Sequence, residues 1–364
     1  MGARVMILAG GTGGHVYPAL AVAKTLLTDG HEVVWMGTHA GLEARVVPAA
    51  DIPVEWLSVS GLRGKGWRST LAAPFMLLRA LFQAYHILRR VRPEVVLGMG
   101  GFVSGPGGLV ARLLGIPLIL HEQNRVPGTT NRWLARWANA VLEAFPGSFP
   151  AKAGARCVGN PLRAEIVAGG ARLATESDAT APSPAPLKIL VVGGSLGAKA
   201  LNENLPEALA LSGLDIEIRH QTGAAMQAET QARFAAKGLN ASVEAFVEDM
   251  ATAYAWADLA ICRAGAMTLS ELAAMGLPAI LVPYPYAIDD HQTRNAQYLS
   301  EADAAVLLPQ TELSPERLAA EIVALAQDRA RLHAMAERAR ALAKPESARE
   351  VAGICLAARK NPPR

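Results

Sequence analysis

The sequence predicts an α/β protein built from two Rossmann-like halves, and three observations carry that reading. First, Arg4–Ala9 is a short buried-strand pattern that runs into Gly10-Gly-Thr-Gly-Gly-His15 and an apolar helix from about Pro18 to Leu27. Second, the plan recurs at Leu187–Leu205, with Gly193 superposing on Gly10, Ser195 on Thr12 and Gly197 on Gly14. Third, Asp258–Cys262 reads as a strand, Leu269, Leu272, Ala273 and Gly276 as a helix face, and Ala279–Pro283 as a second strand, which makes a βαβ unit. Ligands of such units sit at the carboxyl ends of the strands.

Composition narrows the function. The chain has 364 residues, enough for two domains with substantial cores. Apolar residues make up 51% and charged residues 18%, and a net charge of +3 argues against a global affinity for nucleic acid. Cys157, Cys262 and Cys355 are odd in number and far apart, which fits a reducing cytoplasm rather than a disulfide framework or metal cluster. Met1-Gly-Ala-Arg4 leaves no room for a signal peptide before the first strand. No apolar run reaches the ~18 residues that span a bilayer. The expectation is a cytosolic protein, or one that lies on a membrane.

A dinucleotide enzyme is the obvious rival. The first loop has Gly11-x-Gly13 but Val16 where a third glycine belongs, and the second strand, Glu32–Gly37, ends without the acidic residue that would hold an adenine ribose. Residues 60–92 then carry Arg63, Lys65, Arg68, Arg79, Arg89, Arg90 and Arg92 with no Asp or Glu. The apolar run Leu71–Leu78, with Leu81, Phe82 and Tyr85, lies between those cations. A helix packed on the first sheet accounts for part of it; the one-sided charge fits a surface that meets anionic lipid. The strand Glu94–Leu97 leads to a third glycine loop, Gly98–Pro106, and Pro117–Leu120 leads to His121-Glu-Gln-Asn124. Both loops fall at strand carboxyl ends beside Gly10–His15.

Residues 168–186 are rich in Ala, Ser, Thr and Pro and read as an exposed irregular excursion. His220 reads as a satisfied strand-end histidine. In the βαβ unit, Thr268 falls in the first helical turn, where free N–H groups and the helix dipole favour a phosphate. Glu271 is one turn further and could accept from a pair of ribose hydroxyls. Thr268-Leu-Ser-Glu271 equally matches a capping box that serves only its own helix. The loop holding Asp289, Asp290, His291, Gln292 and Asn295 tilts the balance toward a ligand. After Ser314 the pattern is helical, with a break at Pro345.

The segments G-A-x-T-x-S-E, G-L-P and D-D-H-Q-x-x-N-A resemble the donor site of the UDP-N-acetylglucosamine:lipid I N-acetylglucosaminyltransferase (MurG) family. GGTGGH, GGFVSGP and HEQN resemble its three N-domain loops, and Gly159-Asn-Pro-Leu-Arg163 its domain junction. The likeness spans nearly the whole chain. It implies a GT-B fold, two Rossmann-like domains facing across a cleft: an acceptor- and membrane-facing domain over 1–162, a donor domain over 163–344, and a last helix, 345–364, returning to the first. It also implies an inverting transfer of N-acetylglucosamine from its UDP donor to the 4-hydroxyl of the N-acetylmuramoyl group of lipid I, giving lipid II and UDP for peptidoglycan synthesis, cell shape and division.

The residues implied are Ser195, Ala266, Met267, Thr268, Leu269 and Ser270 around the donor, with Glu271 on its ribose. Val247 follows as a uracil contact, Arg163 lies near the nucleotide, and Gln292 and Asn295 read the sugar. Thr12, Gly13, Gly14 and Asn124 are carried over as donor contacts too. Gly10, Gly11, Gly101, Ser104 and Gly105 are expected to bind the lipid diphosphate. Two helix N-termini stabilise the leaving diphosphate, so a metal is not obligatory, and no cofactor is expected. His15 is the first choice of base for the acceptor hydroxyl and Glu122 the second; the alternative for His15 is a loop histidine that orients the turn. Arg68, Phe75, Leu78, Arg79, Phe82, Arg89 and Arg90 form the expected membrane patch, on the cytoplasmic face of the cell membrane. Partners would be the two substrates, an anionic membrane surface and other proteins of cell-wall synthesis or division. Two further readings stand beside this one: another UDP-sugar enzyme of the same fold (a glycolipid glycosyltransferase or an epimerase), or a non-catalytic nucleotide-sugar sensor.

Overall fold

The computed structural model describes residues 2–58, 67–176, 186–194 and 197–359, apart from the side chains of 67–73 and 176. The chain divides into two compact units, Met1–Arg163 with Lys344–Arg364, and Ala164–Ala343.

The first unit runs β1 (Arg4–Ala9), α1 (Gly13–Thr28), β2 (Glu32–Gly37), α2 (Glu43–Val46), β3 (Val54–Trp56), α3 (Trp67–Val91), β4 (Val95–Gly100), α4 (Ser104–Leu113), β5 (Leu118–Glu122), α5 (Thr129–Leu134), β6 (Ala140–Glu143) and β7 (Arg156–Cys157). Its strands form one parallel sheet in the order β3-β2-β1-β4-β5-β6-β7. Helices cover both faces, so β1 is apolar and buried from Val5 to Ala9. Val5 and Ile7 pack with Val16, Val22 and Trp35 on one face; Met6 and Leu8 pack with Met36, Leu88 and Val96 on the other.

The second unit runs α6 (Ala164–Glu176), β8 (Leu187–Val192), α7 (Lys199–Ser212), β9 (Ile216–Gln221), α8 (Gln227–Ala236), β10 (Ala241–Glu244), α9 (Met250–Trp256), β11 (Leu259–Cys262), α10 (Ala266–Met275), β12 (Ala279–Leu281), α11 (His291–Ser300), β13 (Ala305–Leu307), α12 (Pro315–Gln327) and α13 (Arg329–Leu342). Its parallel sheet has the order β10-β9-β8-β11-β12-β13. The last helix, α14 (Ser347–Ala358), belongs to the first unit and adds Val351, Ala352 and Cys355 to its core. No helix among the described residues is long and apolar enough to cross a membrane.

Two expectations are corrected here. The excursion expected over 168–186 is helical as far as Glu176, because Gly169 and Gly170 serve close packing: a Cβ on Gly170 would lie 2.1 Å from the Ala274 carbonyl oxygen of α10. Residues 177–185 lie outside the described residues. Arg163, expected to open the second domain, closes the first unit.

Each sheet reverses its strand order once, between β1 and β4 and between β8 and β11. Such switch points open a crevice at the strand carboxyl ends, where doubly wound sheets bind their ligands.

Candidate functional site

At the first switch point the loops after β1 and β4 meet with no room for side chains. A Cβ on Gly101, where φ is +80°, would lie 2.3 Å from the Gly10 carbonyl oxygen. Gly11, at φ +96°, donates its N–H to Glu43 Oε2 at 2.9 Å. Glu43 is fully buried and also accepts from Thr38 N at 2.9 Å and Thr38 Oγ1 at 2.8 Å. Its carboxylate thus braces the glycine loop from below. Thr12 is the N-cap of α1 without using its side chain, so the first-turn N–H groups of Gly13 and Gly14 face outward as an anion cradle. Gly105 lies in the first turn of α4. Ser104 is expected beside it as a ligand contact; its buried Oγ accepts from Gly100 N at 3.0 Å, with the carbonyl oxygens of Gly100 and Leu8 at 2.7 Å and 2.9 Å as its own acceptors. That hydroxyl braces the loop.

His15, half-buried in the first turn of α1, places Nδ1 2.8 Å from Gln123 Oε1. Its ring lies on the bare backbone of Gly100, where a Cβ would come within 2.9 Å of Nδ1. Glu122 is poorly placed for a base. Its buried Oε1 accepts from Asn124 N at 3.0 Å and Asn124 Nδ2 at 3.3 Å, and Oε2 from Gly128 N at 3.0 Å and Asn131 Nδ2 at 2.9 Å. Four donors on two oxygens make it the organiser of the loop after β5. Asn124 hangs on that carboxylate. The Arg163 guanidinium lies 6.0 Å above the Tyr17 ring.

The second switch point opens a cavity of about 730 Å³, lined by the glycine loop after β8, Lys199, Arg263, Thr268, Tyr284 and Gln292. That is the size of a nucleotide-sugar or drug-like ligand. Two helix N-termini, those of α7 and α10, meet it. Ser195 lies outside the described residues. Gln221 holds the loop on both sides, accepting from Gly194 N at 3.1 Å and donating to Gly194 O at 2.8 Å. Arg263 donates to Val282 O at 3.0 Å and Pro283 O at 3.3 Å and lies 5.5 Å over the Tyr284 ring. Burial draws its pKa below the ordinary value. Gln292 Oε1 accepts from Ala264 N at 3.3 Å and Tyr284 N at 2.9 Å, which leaves its amide nitrogen as the group for a ligand.

In α10 the N-cap is Gly265, so Thr268 and Glu271 are not a capping box. Glu271 is buried, and Tyr254 donates its hydroxyl to Oε2 at 3.0 Å. Ala266 and Leu269 are buried and offer backbone alone, Met267 is half-buried, and the Ser270 hydroxyl turns back to Ala266 O at 3.0 Å. Val247 is buried beside exposed Phe246 in the loop after β10. Asn295, expected to read sugar hydroxyls, is fully buried in α11 and donates to Ala264 O at 3.3 Å. His220 is buried with Nε2 3.0 Å from Asn202 Oδ1, a structural histidine.

The α3 helix carries two apolar stripes. Ala80, Ala84, Ile87 and Leu88 face the sheet, while Phe75, Leu78 and Phe82 stay 76%, 64% and 66% exposed. Exposed Arg79 and Arg89 flank the outer stripe; Arg90 is tied to Glu55, and the Arg68 side chain lies outside those described. A contiguous apolar face of this kind marks a surface that meets something.

Glu43, Gln221, Arg263, Lys199 and Tyr254 escaped the sequence reading. Arg263 and Lys199 had a signal, each being a cation within a residue or two of a glycine turn at a strand's carboxyl end.

Two parallel sheets, each with a glycine loop at its switch point, make two Rossmann-like domains of the kind GT-B glycosyltransferases have. Residues 5–143 match the glycosyltransferase family 28 N-terminal domain and residues 188–351 its C-terminal domain. The Methylococcus capsulatus UDP-N-acetylglucosamine–N-acetylmuramyl-(pentapeptide) pyrophosphoryl-undecaprenol N-acetylglucosamine transferase is 63% identical over 98% of this chain and 99% of its own. The transferase of that name from Marinobacter nauticus is 52% identical over 98% and 97%. The crystal structure of Acinetobacter baumannii MurG superposes with a TM-score of 0.84 at 42% identity, over 98% of this chain and 99% of that one. The chain belongs to the MurG family of N-acetylglucosamine transferases.

Proposed function

We propose that this enzyme moves N-acetylglucosamine from UDP-N-acetylglucosamine to the 4-hydroxyl of the N-acetylmuramoyl group of lipid I, with inversion, while held on the cytoplasmic surface of a membrane. The observation that carries the reading is the full-length identity of 63% to a transferase named for that reaction. The cavity of the second unit supports it: two helix N-termini with Lys199 and Arg263 suit a diphosphate. The Glu271 carboxylate, buried one turn beyond Thr268 in α10, is assigned to the ribose hydroxyls by family resemblance.

In the transfer, the acceptor oxygen forms a bond to the anomeric carbon as the bond to the β-phosphate oxygen breaks, and the electron pair leaves with UDP. His15 Nε2 takes the acceptor's proton. The glycine-loop amides, Lys199 and Arg263 lower the barrier by meeting negative charge as it grows on the diphosphate. The Gly13 and Gly14 amides, beside the base, suit the acceptor diphosphate. The outer stripe of α3 with Arg79 and Arg89 suits the lipid surface from which that acceptor comes.

The test is transfer of radiolabelled N-acetylglucosamine to a lipid-linked acceptor, with UDP release followed in parallel. Label in the lipid fraction in a 1:1 ratio to UDP is expected. UDP-N-acetylglucosamine turned into an isomer without an acceptor, or bound with no turnover, would refute the reading.

A further inference from the structure

We infer that Gln123 and His121 act as a tautomer lock on His15, fixing its proton on Nδ1 and leaving Nε2 as the lone pair that receives the acceptor's proton. The inference rests on the reading of His15 as the base.

Each hydrogen in the chain is located by an atom that can only accept. At the far end, His121 Nε2 lies 2.8 Å from the Gly159 carbonyl oxygen, so that nitrogen carries the hydrogen. The same carbonyl accepts from Ser347 Oγ at 2.8 Å, which ties it to α14. His121 is completely buried, and burial pulls its pKa down to about 4, so the ring stays neutral and its Nδ1 is bare. The Gln123 amide comes next. Its Nε2 lies 3.1 Å from that bare Nδ1 and 3.2 Å from the His121 carbonyl oxygen. Reversing the amide would set its oxygen against two acceptors, so the orientation is settled by chemistry.

The near end follows. Gln123 Oε1 faces His15 Nδ1 at 2.8 Å and can only accept, so His15 Nδ1 carries the hydrogen. A neutral His15 therefore presents Nε2 bare. Gly100 completes the seat, since any side chain there would displace the ring. The titratable groups that bear on this chain are the two histidines and Glu122, whose oxygens are taken up by Asn124, Gly128 and Asn131. A carboxylate in the place of Gln123 would fix the same tautomer and add a negative charge; the amide fixes it without one. Gln123 and His121 are thus positioning residues, touching no substrate atom.

The test uses the full-length protein with nitrogen-15-labelled histidine, the His15 signals being assigned by their loss in His15→Ala. The parent should show neutral His15 protonated on Nδ1. Gln123→Met removes both ends of the link and should lower kcat about tenfold to a hundredfold, with the tautomer shifting toward Nε2–H. Gln123→Glu keeps an acceptor for His15 but no donor for His121; it should restore the Nδ1–H tautomer and most of the lost kcat, with the acidic limb of the pH profile moved upward. A purely structural Gln123 would make the two variants equally poor, which overturns the lock. So does a parent His15 protonated on Nε2. If His15→Ala keeps its kcat, the base reading falls, whereas the spectrum judges the lock separately.

Discussion

The pairing of Tyr254 with Glu271 separates a ligand-binding carboxylate from a structural one. Both residues are buried, and one hydroxyl is bound to Oε2. Tyr254→Phe deletes a hydrogen bond to a charged group, worth about 1.5–3 kcal/mol, and leaves the carboxylate charged. In a unit of this size that is a fall in Tm of about 3–12 °C. Glu271→Gln retains an oxygen that can accept from Tyr254, so its Tm should fall by far less. It weakens the bonds offered to a ribose diol from charged to neutral, a loss of about 1–2 kcal/mol, so donor KM should rise about fivefold to thirtyfold. The assays are calorimetry and initial rates against UDP-N-acetylglucosamine at saturating acceptor. If Glu271→Gln melts as early as Tyr254→Phe and its donor KM does not move, the carboxylate serves only to anchor α9 on α10.

His15→Ala should cut kcat by about 10²–10⁴ and remove the acidic limb of the pH profile. Glu122→Gln should instead lower Tm, since its amide nitrogen would meet donors; a Glu122→Gln protein of parental Tm and abolished kcat would return the base role to Glu122. Binding to anionic vesicles should fall with salt, and Arg79→Glu with Arg89→Glu should weaken it by up to about 4 kcal/mol, roughly a thousandfold, while transfer to a short-chain soluble acceptor survives; unaltered binding of the double variant would count against a lipid-facing α3. Burial holds His121 and His220 below their ordinary 6.5, at about 4 and about 3, so the unfolded chain takes up their protons first as the pH falls. Their stabilisation is complete above pH 6.5 and shrinks below it by about 1.4 kcal/mol per pH unit per histidine. His220→Asn should flatten the plot of Tm against pH between 6.5 and 4, and an unchanged slope would show that this imidazole is already protonated when folded.

The repeated strand, glycine turn and helix were legible because they are local: an apolar strand, a glycine loop and a helix face are each written in a few consecutive residues. The switch points followed from two such repeats. What escaped depends on neighbours distant in the chain. Glu43 sits in a four-residue helix with no pattern of its own, and its part emerges only from Gly10, Gly37 and Gly41, where a Cβ would lie within 2.6, 2.8 and 2.0 Å of its side chain. Residues 168–176 look irregular by composition, yet Gly170 is there so that two helices can touch. Asn295 and Glu122 are polar residues in motif positions that bond within their own units, Asn295 to a main-chain carbonyl and Glu122 to two main-chain amides and two asparagine side chains, and no spacing rule reports that.

The return of α14 to the first unit has a consequence for the order in which the protein can be made. Residues 164–343 are, in topology, an insertion within the first unit, whose core lacks Val351, Ala352 and Cys355 until the end of the chain emerges. At about 5–20 residues per second, the ribosome spends about 10–40 s on that insertion. Throughout that interval the first sheet waits with one helix missing, the α1 surface that α14 covers still exposed and the Gly159 carbonyl without Ser347. The second unit, whose segments are contiguous, can close on itself meanwhile, so the half of the protein translated first is the half completed last.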